Sequence, residues 1–179
     1  MFTLTKPKAS FMEIITKSVW YGFIAGMISG MVKIGWEKIL PPRTLARDAT
    51  NPPQEMLQQM GFTYDQTHAY VYYSHDQKVF FTALIIHFGF SIVFAGLFVL
   101  LSQYWPTVGM GQGAIYGIVI WIAFHLIIMP LMGTTPAAWK LPFDEQFSEF
   151  FGHIIWAWSI AATVYYLIAK SKHGKLTNI

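Results

Sequence analysis

Hydrophobic and polar residues follow one another along this chain in long blocks rather than short periods. Four stretches, at about 14–36, 79–101, 109–132 and 145–169, are apolar almost throughout, and none holds more than three charged or histidine residues. A hydrocarbon core of roughly 30 Å needs about 20 helical residues to cross it, so each stretch is long enough. In lipid the backbone must satisfy its own hydrogen bonds, and four non-alternating runs cannot close a barrel, which makes the predicted spans helices. The pattern therefore predicts an all-α membrane protein of four transmembrane helices, residues 1–179 forming a single membrane domain.

Between the first two spans lies a polar, extramembrane loop of about 42 residues, at 38–78. Pro41-Pro42 and Pro52-Pro53 interrupt it, because proline blocks helix continuation and drives its predecessor to extended geometry. A short helix is predicted from near Pro53 through Met60 to Gly61, with proline in its first turn and glycine past its end. Tyr64, Tyr70, Tyr72 and Tyr73, with Trp36, Tyr104, Trp105 and Trp139, suit the interfacial aromatic belt. The short link at 102–108 makes spans two and three antiparallel neighbours, and Asp144 is expected to cap the last span, with Glu145 complementing its dipole.

Lysine and arginine near the span ends set the orientation. Lys6, Lys8 and Lys17 flank the first span and Lys170, Lys172 and Lys175 follow the last, with only Glu13 to balance them. The opposite side carries Lys38, Arg43, Arg47, Lys78 and Lys140, offset by Asp48, Glu55, Asp65, Asp76 and Asp144. Both termini are therefore predicted to be cytoplasmic. The first apolar run is too long for a signal peptide and no small-residue cleavage site follows it, so it is read as retained.

Composition agrees: 54% of residues are hydrophobic and 12% charged, against about 25% charged in a soluble domain. The absence of cysteine rules out disulfides, thiolate metal sites and cysteine nucleophiles. A net charge of +3 with no basic stripe argues against nucleic acid, leaving membrane lipids as the expected surroundings. No glycine-rich phosphate loop, GxSxG elbow or HExxH motif occurs, so no enzyme class is assigned.

Two glycine rows predict close helix contacts: Gly22, Gly26 and Gly30 on the first span, and Gly109, Gly113 and Gly117 on the third. They serve either to close the chain's own bundle or to build a homo-oligomer.

The intramembrane polar groups carry the functional signal. Counting 1.5 Å per residue along alternating spans puts His87, His125 and His153 roughly 10–12 Å below one membrane surface. Glu149 lies one turn from His153, and Lys33 and Glu37 stand at the matching end of span one, with Arg43 just beyond Pro41-Pro42. Ionisable groups in lipid are costly and normally face the bundle interior. Glu149 and His153, at i and i+4, share a helix face, and such a pair changes protonation in the mildly acidic range. Lys33 and Glu37 have the same spacing in the less favourable order and are open to pairing across helices. Near His125, Pro130 removes one amide and disturbs the carbonyl of Leu126.

Several meanings stay open for this layer. The histidines serve as packing glue, or line a pocket for protons or a small solute gated with Glu149, with Lys33, Glu37 and Arg43 at its mouth. A metal site of His87, His125, His153 and Glu149, axial haem ligation by two histidines, and lipid chemistry with Glu149 or a histidine as base are the other readings. No cofactor is assigned. His68, His75, Asp65 and Asp76 read better as solvated loop polarity, and Met27 with Met31 and Met129 with Met132 as adaptable filler.

The residues also resemble a known family. Val32-Lys33-Ile34-Gly35-Trp36-Glu37 followed by Leu40-Pro41-Pro42-Arg43 is similar to the end of the first span in the YagU family of bacterial inner-membrane proteins. The likeness continues at His87 before Phe90-Ser91-Ile92-Val93-Phe94-Ala95. It is strongest at His125, Pro130-Leu131-Met132-Gly133-Thr134-Thr135-Pro136, Leu141-Pro142 and Ser148-Glu149-Phe150-Phe151-Gly152-His153-Ile154-Ile155-Trp156. It departs in the outer loop, which here is shorter and lacks cysteine. The resemblance implies a multi-span inner-membrane protein with a link to acid tolerance, and names no reaction.

Overall fold

The structure is a computed structural model and describes residues 4–44 and 48–171. Arg47, Lys172 and Lys175 of the charge count lie outside the described residues.

Helix α1, Phe11–Ile39, begins where the Ser10 hydroxyl accepts the Glu13 amide, and stops ahead of Pro41-Pro42. Helix α2 spans Pro52–Gln59 and α3 Tyr64–Thr67. A hairpin of β1, Tyr70–Ser74, and β2, Gln77–Phe80, then leads straight into α4, Phe81–Tyr104. A third rod, Ala114–Met132, is composite: α5, Ala114–Trp121, passes through a π-helical segment, Ile122–Ile128, into α6, Met129–Met132. Gly133, at φ 73°, ends it in the left-handed region that glycine reaches without strain. Helix α7 runs Phe143–Lys170.

Among the described residues three helices, α4, the composite rod and α7, are long and apolar enough to cross a membrane; α1, at 29 residues, is not among them. The remaining differences from the sequence expectation have local causes. The chain is not purely helical, because the tyrosine-rich run at 70–74 pairs with 77–80 as an antiparallel hairpin; residues 79 and 80, expected to open the second span, belong to its second strand. The third rod starts at Ala114 instead of 109, since Pro106–Gly109 forms a 3-10 turn and Gly111 and Gly113 adopt positive φ. Asp144 is not the cap of α7: Pro142 occupies that position and Asp144 lies inside the first turn. The loop expected at 38–78 contains folded elements throughout much of its length, and α2 forms within one residue of its predicted start.

The core lies among α1, α4 and α7, where Ile14, Ala25, Phe98, Trp156 and Ile160 are all but completely buried. The glycine rows determine how closely the rods approach. A Cβ added at Gly22 would stand 2.5 Å from the Cα of Gly96, and one at Gly26 would stand 2.6 Å from the amide nitrogen of Ile92, so α1 and α4 are in backbone contact. Gly113 and Gly117 meet Ala157 of α7 in the same way, while Gly109 sits in the 3-10 turn, off the helical row. These faces are occupied within the chain, and a subunit contact would have to use other surfaces.

Helix α2 is held down on the bundle. Asn51 and Gln54 form a reciprocal capping box, and the Gln54 side-chain amide, almost fully buried, also donates to the Thr67 carbonyl at 3.0 Å. On the far side the Thr134 hydroxyl donates to Gln59 Oε1 at 2.9 Å, tying α2 to the loop after the composite rod.

Candidate functional site

Glu149, buried on α7, sits at the centre of a charged cluster. Lys33 of α1 donates from Nζ to Glu149 Oε2 at 3.2 Å and to Glu37 Oε1 at 2.5 Å. The Pro41-Pro42 break turns the chain back over the bundle, so that Arg43 donates from Nη2 to Glu149 Oε1 at 2.5 Å and places Nε 3.6 Å from Glu145 Oε1. Asp48 is more distant, 3.9 Å from Arg43, and half-exposed. Burial pushes its carboxyl above the usual aspartate range against the pull of Arg43, and Glu37 adds to the rise.

Two histidines complete the cluster. His125 Nε2, on the π-helical segment, is 3.6 Å from Glu149 Oε2, and His153 Nδ1 is 3.9 Å from the same oxygen. Their rings meet edge to face at a centroid distance of 4.8 Å. His153 Nδ1 also lies 2.8 Å from the Glu149 backbone carbonyl; a carbonyl only accepts, so that nitrogen carries a proton. His87 does not join them. Its Nε2 faces the Gly30 carbonyl at 3.0 Å, 57 residues away in sequence, where the glycine row brings α4 against α1. Of the residues singled out by depth, then, Lys33, Glu37, Arg43, His125, Glu149 and His153 form one connected set, and His87 stands beside it.

The cluster borders a cleft of about 290 Å³ whose lining includes Lys33, Glu37, Arg43, Asp48, His87, His125, Glu149 and His153. Its other walls are apolar: Phe90 of α4, Phe124 of the composite rod and Trp156 of α7 pack ring against ring, and Met56 of α2 adds to the lining. A second, much smaller void of about 10 Å³ lies beyond Arg43, His125 and Glu149, next to Thr135 and Glu145. The Thr135 hydroxyl is buried there without a protein partner.

Nitrogen atoms of His125 and His153 and an oxygen of Glu149 lie within 4.8 Å of one another, a spacing that a metal ion spans. Against that reading, both Glu149 oxygens already accept from Lys33 and Arg43, whose charges repel a cation at that point. The ring contact between His125 and His153 leaves no slot for a flat macrocycle, so these two do not suit axial haem ligation.

The family described as "Protein of unknown function (DUF1440)" matches residues 27–162, a stretch that holds every member of the cluster. The chain belongs to this family. It is similar to the Inner membrane protein YagU of Escherichia coli (strain K12), 33% identical over 166 residues and 80% of each chain. No solved structure matches. The likeness to an inner membrane protein and the three described helices apolar enough to span support a membrane location for this DUF1440 chain.

Several residues that complete the site in this DUF1440 chain carry no charge signal in the sequence. Gly152 lies against Trp36 and Lys33: a Cβ there would stand 3.0 Å from Trp36 Cδ1 and 3.3 Å from Lys33 Nζ, so the glycine is what admits the lysine to Glu149. Trp36 Nε1 donates to the Ser148 carbonyl at 2.9 Å, and the Ser148 hydroxyl donates to the Leu40 carbonyl, which pins the end of α1 where Arg43 turns back. Trp156 Nε1 donates to Ser91 Oγ at 3.0 Å, joining α7 to α4 beneath the cleft. A tryptophan and a serine in apolar runs look like packing residues until their partner is known.

Proposed function

We propose that this protein crosses the bacterial inner membrane four times, with both termini cytoplasmic, and passes protons or a small solute in response to pH. At 1.5 Å per residue α1 is about 44 Å long, enough to cross the core as a fourth span despite its lower hydropathy. The observation that carries the reading is Glu149: a carboxylate buried between two cations and two histidines, at the inner end of a cleft. Histidine changes charge in the range where acid stress acts. Protonating His125 or His153 adds a positive charge beside Lys33 and Arg43, which weakens the hold of both on Glu149 and loosens the joint between α1, Arg43 and α7. The link to acid tolerance that the family resemblance implies is part of this same proposal.

Proteoliposomes carrying an internal pH-sensitive dye test it. An imposed acid gradient is expected to dissipate faster with the wild-type protein than in empty vesicles, and His125→Ala and Glu149→Gln are expected to remove most of the difference. Equal rates for wild type, variants and empty vesicles would leave a structural membrane protein as the better description.

A further inference from the structure

We infer that the cleft binds a small organic ammonium ion, its charge held at the rim by Glu37 and Asp48 and its apolar body lying along Phe90 and Phe124. This names the solute class for the reading above and rests on it only for the idea that the cleft takes a solute.

Charge balance is the first ground. Three carboxylates, of Glu37, Asp48 and Glu149, line the cleft against two cations, Lys33 and Arg43. Both cations are already engaged: Lys33 with Glu37 and Glu149, Arg43 with Glu149 and with Glu145 outside the cleft lining. With histidines neutral, the lining is left with an excess negative charge. That excess sits at the rim, since Glu149 is 7% exposed whereas Glu37 is 31% and Asp48 52% exposed. Among the described residues Asp48 has a long contact to Arg43 and also feels the charge of Lys38, and an arriving cation would relieve the repulsion between Asp48 and Glu37.

Shape and wall chemistry are the second ground. Beside the charged groups the cleft has an apolar, aromatic wall of Phe90, Phe124 and Trp156, along which a hydrated inorganic ion would lose water without replacement ligands. An ammonium with a hydrocarbon or aromatic body gains on both sides: ion pairing at the rim, and apolar burial with ring contact inside. A volume of about 290 Å³ is at the small end of ligand pockets, which suits a body of one ring or a short chain. An anion of the same size would meet the carboxylates of Glu37 and Asp48 at the rim. The same ammonium chemistry is available from a free amine or from the headgroup of phosphatidylethanolamine.

Calorimetric titration of the full chain in maltoside micelles, which carry no ammonium group, provides the test. The probes are 2-phenylethylammonium, the near-isosteric alcohol 2-phenylethanol, and phenylacetate. The ammonium is expected to saturate one site while the alcohol and the carboxylate do not. Asp48→Asn and Glu37→Gln are each expected to weaken it about fivefold, the worth of one partly exposed ion pair. Because Glu37→Gln also removes a partner of Lys33, Asp48→Asn at the half-exposed rim is the deciding variant if the other fails to fold. Alcohol binding equal to ammonium binding, tighter binding of phenylacetate, or wild-type affinity in a folded Asp48→Asn would each overturn the inference. Added phosphatidylethanolamine that competes with the probe assigns the site to a lipid headgroup, and no competition assigns it to a free amine; both support the ammonium class. Ammonium binding without proton or solute flux would sink the transport reading and leave this inference standing, and flux without ammonium binding would do the reverse.

Discussion

The charged cluster makes a quantitative prediction about how its members depend on one another. Glu149→Gln removes the charge that Lys33 and Arg43 share, leaving two buried cations with less compensation. Breaking a buried ion pair by removing one partner costs about 3–5 kcal/mol. Lys33 keeps Glu37 at 2.5 Å and Arg43 keeps Glu145 at 3.6 Å, and a glutamine oxygen still accepts from one of them. The expected loss is therefore at the lower end, about 3 kcal/mol. Lys33→Met takes one cation from the same group and is expected to cost about 2 kcal/mol, because Arg43 still holds Glu149. With both changes the unpaired lysine charge is gone, so the double variant should lose less than the two single losses combined, by about 1–2 kcal/mol. Reversible unfolding in mixed dodecyl sulfate and maltoside micelles, followed by circular dichroism, measures all four proteins on one scale. Additivity within about 0.5 kcal/mol would refute the claim that these residues form one electrostatic unit.

Other outcomes follow from particular contacts. Gly117→Ala places a methyl 2.9 Å from the Ala157 Cβ and should cost about 1–3 kcal/mol in the same unfolding assay; Gly35→Ala, with nothing within 4 Å, should cost nothing measurable. Thr135→Val deletes a buried hydroxyl that no protein group meets and should leave stability unchanged or raise it by about 1 kcal/mol, a clear loss instead pointing to a bound water. Ser91→Ala orphans the Trp156 indole N–H and should cost about 1–3 kcal/mol, whereas pairing it with Trp156→Phe should recover part of that loss. Since the chain has no cysteine, single cysteines report topology cleanly: one at Tyr73 should react with an impermeant maleimide in intact cells, and one at Lys8 only after lysis.

The rods were legible because apolar length is a coarse signal that survives without neighbours, and α2 because its paired prolines and following glycine mark both ends. The hairpin was less so. Tyrosines at 70, 72 and 73 satisfy an interfacial reading as well as a strand reading, although the β-prone run Tyr70-Val71-Tyr72-Tyr73 before the turn at His75-Asp76 carries the strand signal. Depth along a helix can be counted from sequence, and that count alone puts Lys33, His125, Glu149 and His153 at one level. Azimuth cannot be counted across separate helices. His87 is on the cleft wall, yet it turns to the Gly30 carbonyl, and that depends on a backbone approach created by the glycine row on another rod. Gly152 and Ser148 act by admitting or pinning a neighbour, so nothing in their own type or spacing separates them from ordinary helix residues.

The π-helical stretch from Ile122 to Ile128 has a consequence for how this protein could have arisen and how it can be altered. Such a stretch holds one residue more than the α-helical turns on either side of it, and an α-helix rotates about 100° per residue. Deleting a single apolar residue from it would return the rod to regular winding and swing every side chain beyond the deletion by that angle. A histidine on that segment would then trade its carboxylate neighbour for a different face of the bundle, while length, hydropathy and span number stayed almost the same. Insertions and deletions here are therefore changes of chemistry disguised as changes of length, and relatives that differ by one residue in this rod need not share a site.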